Sequence, residues 1–137
     1  MRPAAGPPFR FAMRVYWEDT DAGGIVFYAN YLKFFERART EWLRGLGFEQ
    51  EALRREAGVA FVVSATSVRY RRPARLDDLV KVSVDVLHAG QASLQIAQEA
   101  RRGDELLAEG TIRIGCVELG TFRPCRIPKD ILKTLEQ

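Results

Sequence analysis

The chain has 137 residues, 47% hydrophobic and 28% charged, which gives room for one domain with its own core over residues 1–137 and too few residues for two. Ordinary glycine and proline contents (11 and 6), short apolar runs and charges throughout argue against disorder, collagen and a membrane-inserted helix. The 21 Lys plus Arg against 18 Asp plus Glu leave +3, a mild bias that fits a small anionic ligand and is weak support for nucleic acid as a partner.

Residues 1–8 form a short Pro/Ala/Gly stretch without the apolar core of a secretory leader, so a cytoplasmic location is expected. In residues 9–17, Phe9, Phe11, Met13 and Val15 alternate with Arg10, Ala12, Arg14 and Tyr16, the period of a half-buried strand. Residues 18–24 then carry turn chemistry, with Gly23 and Gly24 permitting backbone angles or close approaches that a side chain forbids.

A helix follows. Tyr31, Phe34, Phe35, Ala38, Trp42 and Leu46 fall at helical spacing, opposite Lys33, Glu36, Arg37, Glu41 and Arg44. Asn30 is the expected N-cap, and Gly45 or Gly47 the stop. Its aromatic stripe is read as core rather than as a cofactor box, because a helix lying on a sheet must bury one face. Residues 49–57 predict a second short helical turn ended by Gly58.

Beyond Gly58 the period becomes two. Val62, Ser64, Thr66, Val68 and Tyr70 alternate with Phe61, Val63, Ala65, Ser67 and Arg69, and after Pro73 the residues Val80, Val82, Val84 and Val86 form one apolar face. Turns at Gly90 and at Gly103-Asp104 lead to two more strands, around Leu94 and Ile96 and around Ile112, Ile114 and Cys116. Strand, helix, four strands, with alternating faces and one hydrophobic helix, predict an α+β architecture in which a curved antiparallel sheet wraps a central helix. Residues 128–135 predict a short helix begun by proline.

Cys116 and Cys125, nine residues apart, are read as reduced thiols, since nothing resembles a secreted disulfide framework. His88 is the only histidine, which excludes a His-rich metal site and requires any histidine-dependent triad to be built around it. It continues the Val80–Val86 face and is read as a strand-end residue. Glu18, Asp19 and Asp21 put three carboxylates in four residues, too few for a persuasive metal site without further ligands. Asp19 is read as solvating the turn and capping local amides. Asp21 precedes an apolar segment and a helix start with free amide donors, the setting in which a carboxylate can face a polarised carbonyl.

These residues carry a resemblance. The run Tyr16-x-x-Asp19-Thr20-Asp21-x-x-Gly24-Ile25-Val26-x-Tyr28-x-Asn30-Tyr31, followed by Phe35-Glu36-x-Ala38-Arg39, resembles the motif of hotdog-fold acyl-CoA thioesterases of the 4-hydroxybenzoyl-CoA thioesterase family, including its YbgC branch, with the element order agreeing over residues 10–119. The resemblance implies a hotdog fold, hydrolysis of a small or medium acyl-CoA to CoA and free acid without metal or organic cofactor, and a homodimer or homotetramer with sites between subunits. It carries the catalytic carboxylate onto Asp21, as nucleophile or general base, and the carbonyl-polarising backbone amide onto Tyr28. It places Ser64 in the pocket wall contributed by the facing subunit; read from the residue alone, Ser64 is equally a polar residue tucked into a sheet.

Two departures qualify the match. Many YbgC-branch members have histidine where this chain has Tyr28, so here it looks more like the hydroxybenzoyl branch. The basic run that grips CoA phosphates in some members is replaced by His88-Ala89-Gly90-Gln91-Ala92, which transfers that task to cations such as Arg69, Arg71, Arg72 and Arg75, with Arg71 and Arg72 the expected phosphate contacts. The competing reading is a hotdog protein that binds acyl-CoA without cleaving it. Asp21 weighs against it, since a binder gains nothing from a carboxylate aimed at a thioester. A dehydratase on this fold would resemble a pattern with a well-placed histidine, which this chain lacks.

Overall fold

The computed structural model describes residues 8–136; the Pro/Ala/Gly stretch before them, on which the expectation about a leader rests, lies almost wholly outside the described residues. Strand β1 (Phe9–Arg14) alternates in burial as its sequence does, but ends before Tyr16, where the chain turns through a short 3-10 segment, Trp17–Asp19. Helix α1 (Asn30–Gly45) buries Tyr31, Phe34, Phe35, Ala38, Trp42 and Leu43. Its N-cap is Ala29 rather than Asn30, whose side chain instead donates from Nδ2 to the Asp19 carbonyl at 2.9 Å. A short helix α2 (Gln50–Ala52) and a wide helical turn, Leu53–Ala57, lead to Gly58 and into β2 (Val59–Tyr70). Strands β3 (Leu79–Ala89), β4 (Ser93–Arg102) and β5 (Glu105–Glu118) form the expected meander, and α3 (Lys129–Leu135) closes the described chain.

All strand pairings are antiparallel, in the order β1-β3-β4-β5-β2. Helix α1 follows β1 and lies on one face of the sheet, against the buried row Val80, Val82, Val84 and Val86 of β3 together with Leu94, Ile96, Ile112 and Ile114. Gly110 lets it come close: a Cβ there would meet the Phe35 ring at 3.2 Å and the Ser67 carbonyl at 2.8 Å. A buried polar clamp fixes the helix along the sheet. Arg39 donates to Gln98 Oε1 at 2.9 Å, and Gln98 Nε2 donates to the carbonyls of Phe35 at 3.0 Å and Ser83 at 3.3 Å.

β2 departs from the single alternation its sequence suggests. Phe61 and Val63 pair with Cys116 and Ile114, but a bulge at Ser64 shifts the register, so that Thr66, Val68 and Tyr70 pair with Ile112, Gly110 and Ala108. Directly paired residues share a face, so Val63 and Thr66 lie on the helix side of the sheet. Both are nevertheless exposed: α1 meets this edge strand through Tyr31 and Tyr70 at its far end.

Candidate active site

The loop between β1 and α1 is built on backbone hydrogen bonds. Asp21 N–H donates to the Ile25 carbonyl at 2.9 Å, Gly24 N–H to the Asp21 carbonyl at 3.0 Å, and Gly24 takes φ +80°, which glycine adopts without strain. The two acids in this loop have different surroundings. Asp19 is 6% exposed, and its Oδ2 accepts the Tyr16 N–H at 2.8 Å while its carbonyl accepts the Phe27 N–H at 3.0 Å, so it acts as the capping group that its sequence position suggests. Asp21 is exposed, and its Oδ1 accepts the Gly23 N–H at 2.8 Å, an Asx turn that orients the carboxylate and leaves Oδ2 open to solvent.

From this turn the chain runs into α1. Val26 N–H donates to the Ala74 carbonyl at 2.9 Å, and Ile25 bridges to Arg75, which ties the segment to the β2–β3 connection. Between them lies a cleft of about 290 Å³ lined by Ile25, Val26, Tyr28, Tyr31, Tyr70 and residues 71–73. Its floor is aromatic: the Tyr70 ring stands edge-on to Tyr28 and Tyr31, with centroids 6.0 and 5.5 Å away. Tyr31 accepts the Ala74 N–H on its hydroxyl at 3.2 Å, and burial pushes its phenol above the ordinary tyrosine range. Burial, then the neighbouring Tyr28, raises Tyr70 likewise, so both remain neutral hydroxyls near neutral pH. Beside the cleft residue Tyr28, the N–H groups of Tyr28 and Ala29 precede the first turn of α1 and find no acceptor among the described residues, so the positive end of the helix is left without a side-chain cap.

The cleft thus gathers Tyr28, Arg71 and Arg72, three of the residues singled out in the sequence. Arg71 pairs with Glu109 at 3.1 Å and Arg72 with Glu105 at 3.5 Å, both on exposed side chains, so an anion arriving here competes with carboxylates already present. Asp21 is not in the cleft wall but in the turn that leads into it. Ser64 is not in the cleft wall: it is the bulge residue of β2, six residues before Tyr70 and so roughly 20 Å away along the strand, with its hydroxyl donating to the Arg113 carbonyl at 3.3 Å. Tyr70, Tyr31 and Pro73 were not predicted as site residues. Among the described residues no group of three or more His, Cys, Asp or Glu is placed to hold a metal ion.

Comparison with known proteins gives this geometry a context. The model of the thioesterase-like superfamily matches residues 15–135. The acyl-CoA thioesterase YbgC of Haemophilus influenzae is 45% identical over 90% of this chain and 90% of its own length, and the acyl-CoA thioester hydrolase YbgC of Escherichia coli O6:H1 is 42% identical over 94% and 96%. A crystal structure of a probable thioesterase from Bartonella henselae superposes with a TM-score of 0.84 at 32% identity, covering 88% of this chain and 99% of that one.

Proposed function

Since the chain belongs to the thioesterase-like superfamily and, within it, to the hotdog-fold YbgC acyl-CoA thioesterases, we propose that it hydrolyses an acyl-CoA thioester with Asp21 as the reacting carboxylate and the amide of Tyr28 as the group that polarises the carbonyl. The observation that carries this assignment is the pairing of an exposed, turn-oriented carboxylate with an open helix N-terminus a few residues downstream. The helix dipole and unpaired N–H groups hold the thioester oxygen and stabilise the negative charge that develops on it. Asp21 either attacks the carbonyl carbon, giving an anhydride that water then opens, or removes a proton from an attacking water. In both cases CoA leaves as a thiolate and no cofactor is required.

The acyl group enters the cleft floored by Tyr31 and Tyr70, while Arg71 and Arg72 receive phosphates of CoA by exchanging their partners Glu109 and Glu105. The active form is at least a homodimer. One copy leaves β2 as an unpaired edge with Val62 39% and Val63 50% exposed, and also exposes Trp17, Phe27 and Leu32, apolar surface that a second copy covers. In that assembly Ser64, unable to reach the cleft of its own copy, lines the cleft of the other. A cytoplasmic location fits two unpaired cysteine thiols. The test is free-thiol release from a panel of acyl-CoAs, short aliphatic through phenylacyl and hydroxybenzoyl: turnover of at least one supports the assignment, and binding of all without release of CoA makes the chain a binding protein.

A further inference from the structure

The carboxyl-terminal tail contains a feature that thioester hydrolysis does not use. After β5 the chain reverses and runs back along the end of that strand: Glu118 N–H donates to the Arg123 carbonyl, Val117 bridges Pro124 in antiparallel register, and Cys125 N–H donates to the Cys116 carbonyl, both hydrogen bonds at 2.9 Å. One rung along from Val117 and Pro124, Cys116 and Cys125 stand directly opposite one another. Their sulfurs are 3.6 Å apart. Opposed residues of an antiparallel pair have Cα atoms about 4.5–5.5 Å apart, within the span a disulfide accepts, so the bond needs only side-chain rotation and a small local closing of the two strands.

We infer that Cys116 and Cys125 are a reversible oxidation site, forming a disulfide that staples the tail, and with it α3, to β5. The two thiols differ in access. Cys116 is fully buried, whereas Cys125 is partly exposed and is the sulfur a reagent can reach. Burial, contact with Cys125 and the charge of Cys125 push the Cys116 thiol up to about 12, so Cys116 is not the thiol that reacts first; its part is the intramolecular step, where its contact with Cys125 Sγ supplies the proximity. With a small disulfide such as oxidised glutathione as oxidant, the Cys125 thiolate attacks one glutathione sulfur, breaking its S–S bond and releasing the first reduced glutathione. Cys116, having lost its proton to solvent, attacks Cys125 Sγ and displaces the second. Two protein thiols are oxidised, one small disulfide is reduced, and the two protons end on the two glutathione molecules released. The staple acts on a tail whose Ile127, Ile131 and Leu135 complete the core, so it restrains the last segment that closes the fold.

The test uses the full chain incubated with oxidised glutathione at mildly alkaline pH, quenched with acid, and compared with a Cys125→Ser variant. Intact mass should fall by two hydrogens, both thiols should be lost to maleimide after denaturation, and the thermal midpoint should rise by roughly 5 °C and return on reduction with dithiothreitol. The variant should show no loss of two hydrogens and no such rise. Two thiols still titratable at equilibrium, a stable glutathione adduct, or a disulfide joining two chains in place of the internal bond would overturn the inference.

Discussion

The Asp21 carboxylate accepts the Gly23 N–H at 2.8 Å, and a methyl group on Gly23 would lie 3.2 Å from that same oxygen. Gly23 therefore sets where the carboxylate points. Gly23 does not take a positive φ, so Gly23→Ala should fold normally while moving the carboxylate by a few tenths of an ångström. Turnover of acyl-CoA should fall by roughly 3- to 30-fold with an unchanged melting temperature, because reacting groups tolerate little misplacement. Steady-state kinetics beside a thermal melt checks this.

Asp19 predicts the reverse pattern. Its buried carboxylate satisfies the Tyr16 N–H, and Asp19→Ala strands that amide and opens the loop, at a cost of about 1–3 kcal/mol. A denaturant titration should show the loss, whereas Asp21→Ala should leave the unfolding midpoint nearly unchanged.

CoA binding should respond to salt. Arg71 and Arg72 are exposed, and at physiological ionic strength charges are screened over about 8 Å, so the KM should rise with salt while kcat changes little. Replacing both by Ala should raise KM further and flatten the dependence. Glu109→Gln frees Arg71 from its partner and should lower KM at low salt; a higher value would show that Glu109 positions Arg71 rather than competing for it.

The edge strand predicts the assembly. Sedimentation at micromolar concentration should show at least a dimer, and Val62→Lys with Val63→Lys should shift it towards monomer, since charges on an edge strand oppose pairing. Activity should fall with the dimer fraction.

Much of this architecture was legible in the sequence because it rests on periodicity. The valine row of β3, the aromatic stripe of α1 and the glycines bounding the turns each carry their own signal. The pairing of β2 with β5 is a long-range choice that no local pattern encodes, and the bulge at Ser64 flips the faces of β2 through one unpaired residue among similar small side chains. Asn30 looked like a cap because of its residue type, but the Asp19 carbonyl took its side chain. Arg39 stands in the motif, but nothing in the sequence marks it as buried, because a cation on the buried side of a helix contradicts the pattern and its hydrogen-bond partner Gln98 is far away in sequence; burial holds its guanidinium below the ordinary arginine range. The acidic loop was readable through its motif, whereas the contributions of Tyr70 and Pro73 to the cleft depend on how the β2–β3 connection folds over α1.

The role of Asp21 is tested most directly by Asp21→Asn, which keeps the size of the side chain and its acceptor for the Gly23 N–H while removing the charge. Turnover of the best acyl-CoA substrate should fall by roughly 10²- to 10⁴-fold, with the dissociation constant of a non-hydrolysable thioether analogue unchanged. A variant retaining more than about a tenth of the parent turnover, well outside the range expected for loss of a general base or nucleophile, would contradict the assignment of Asp21 as the reacting group.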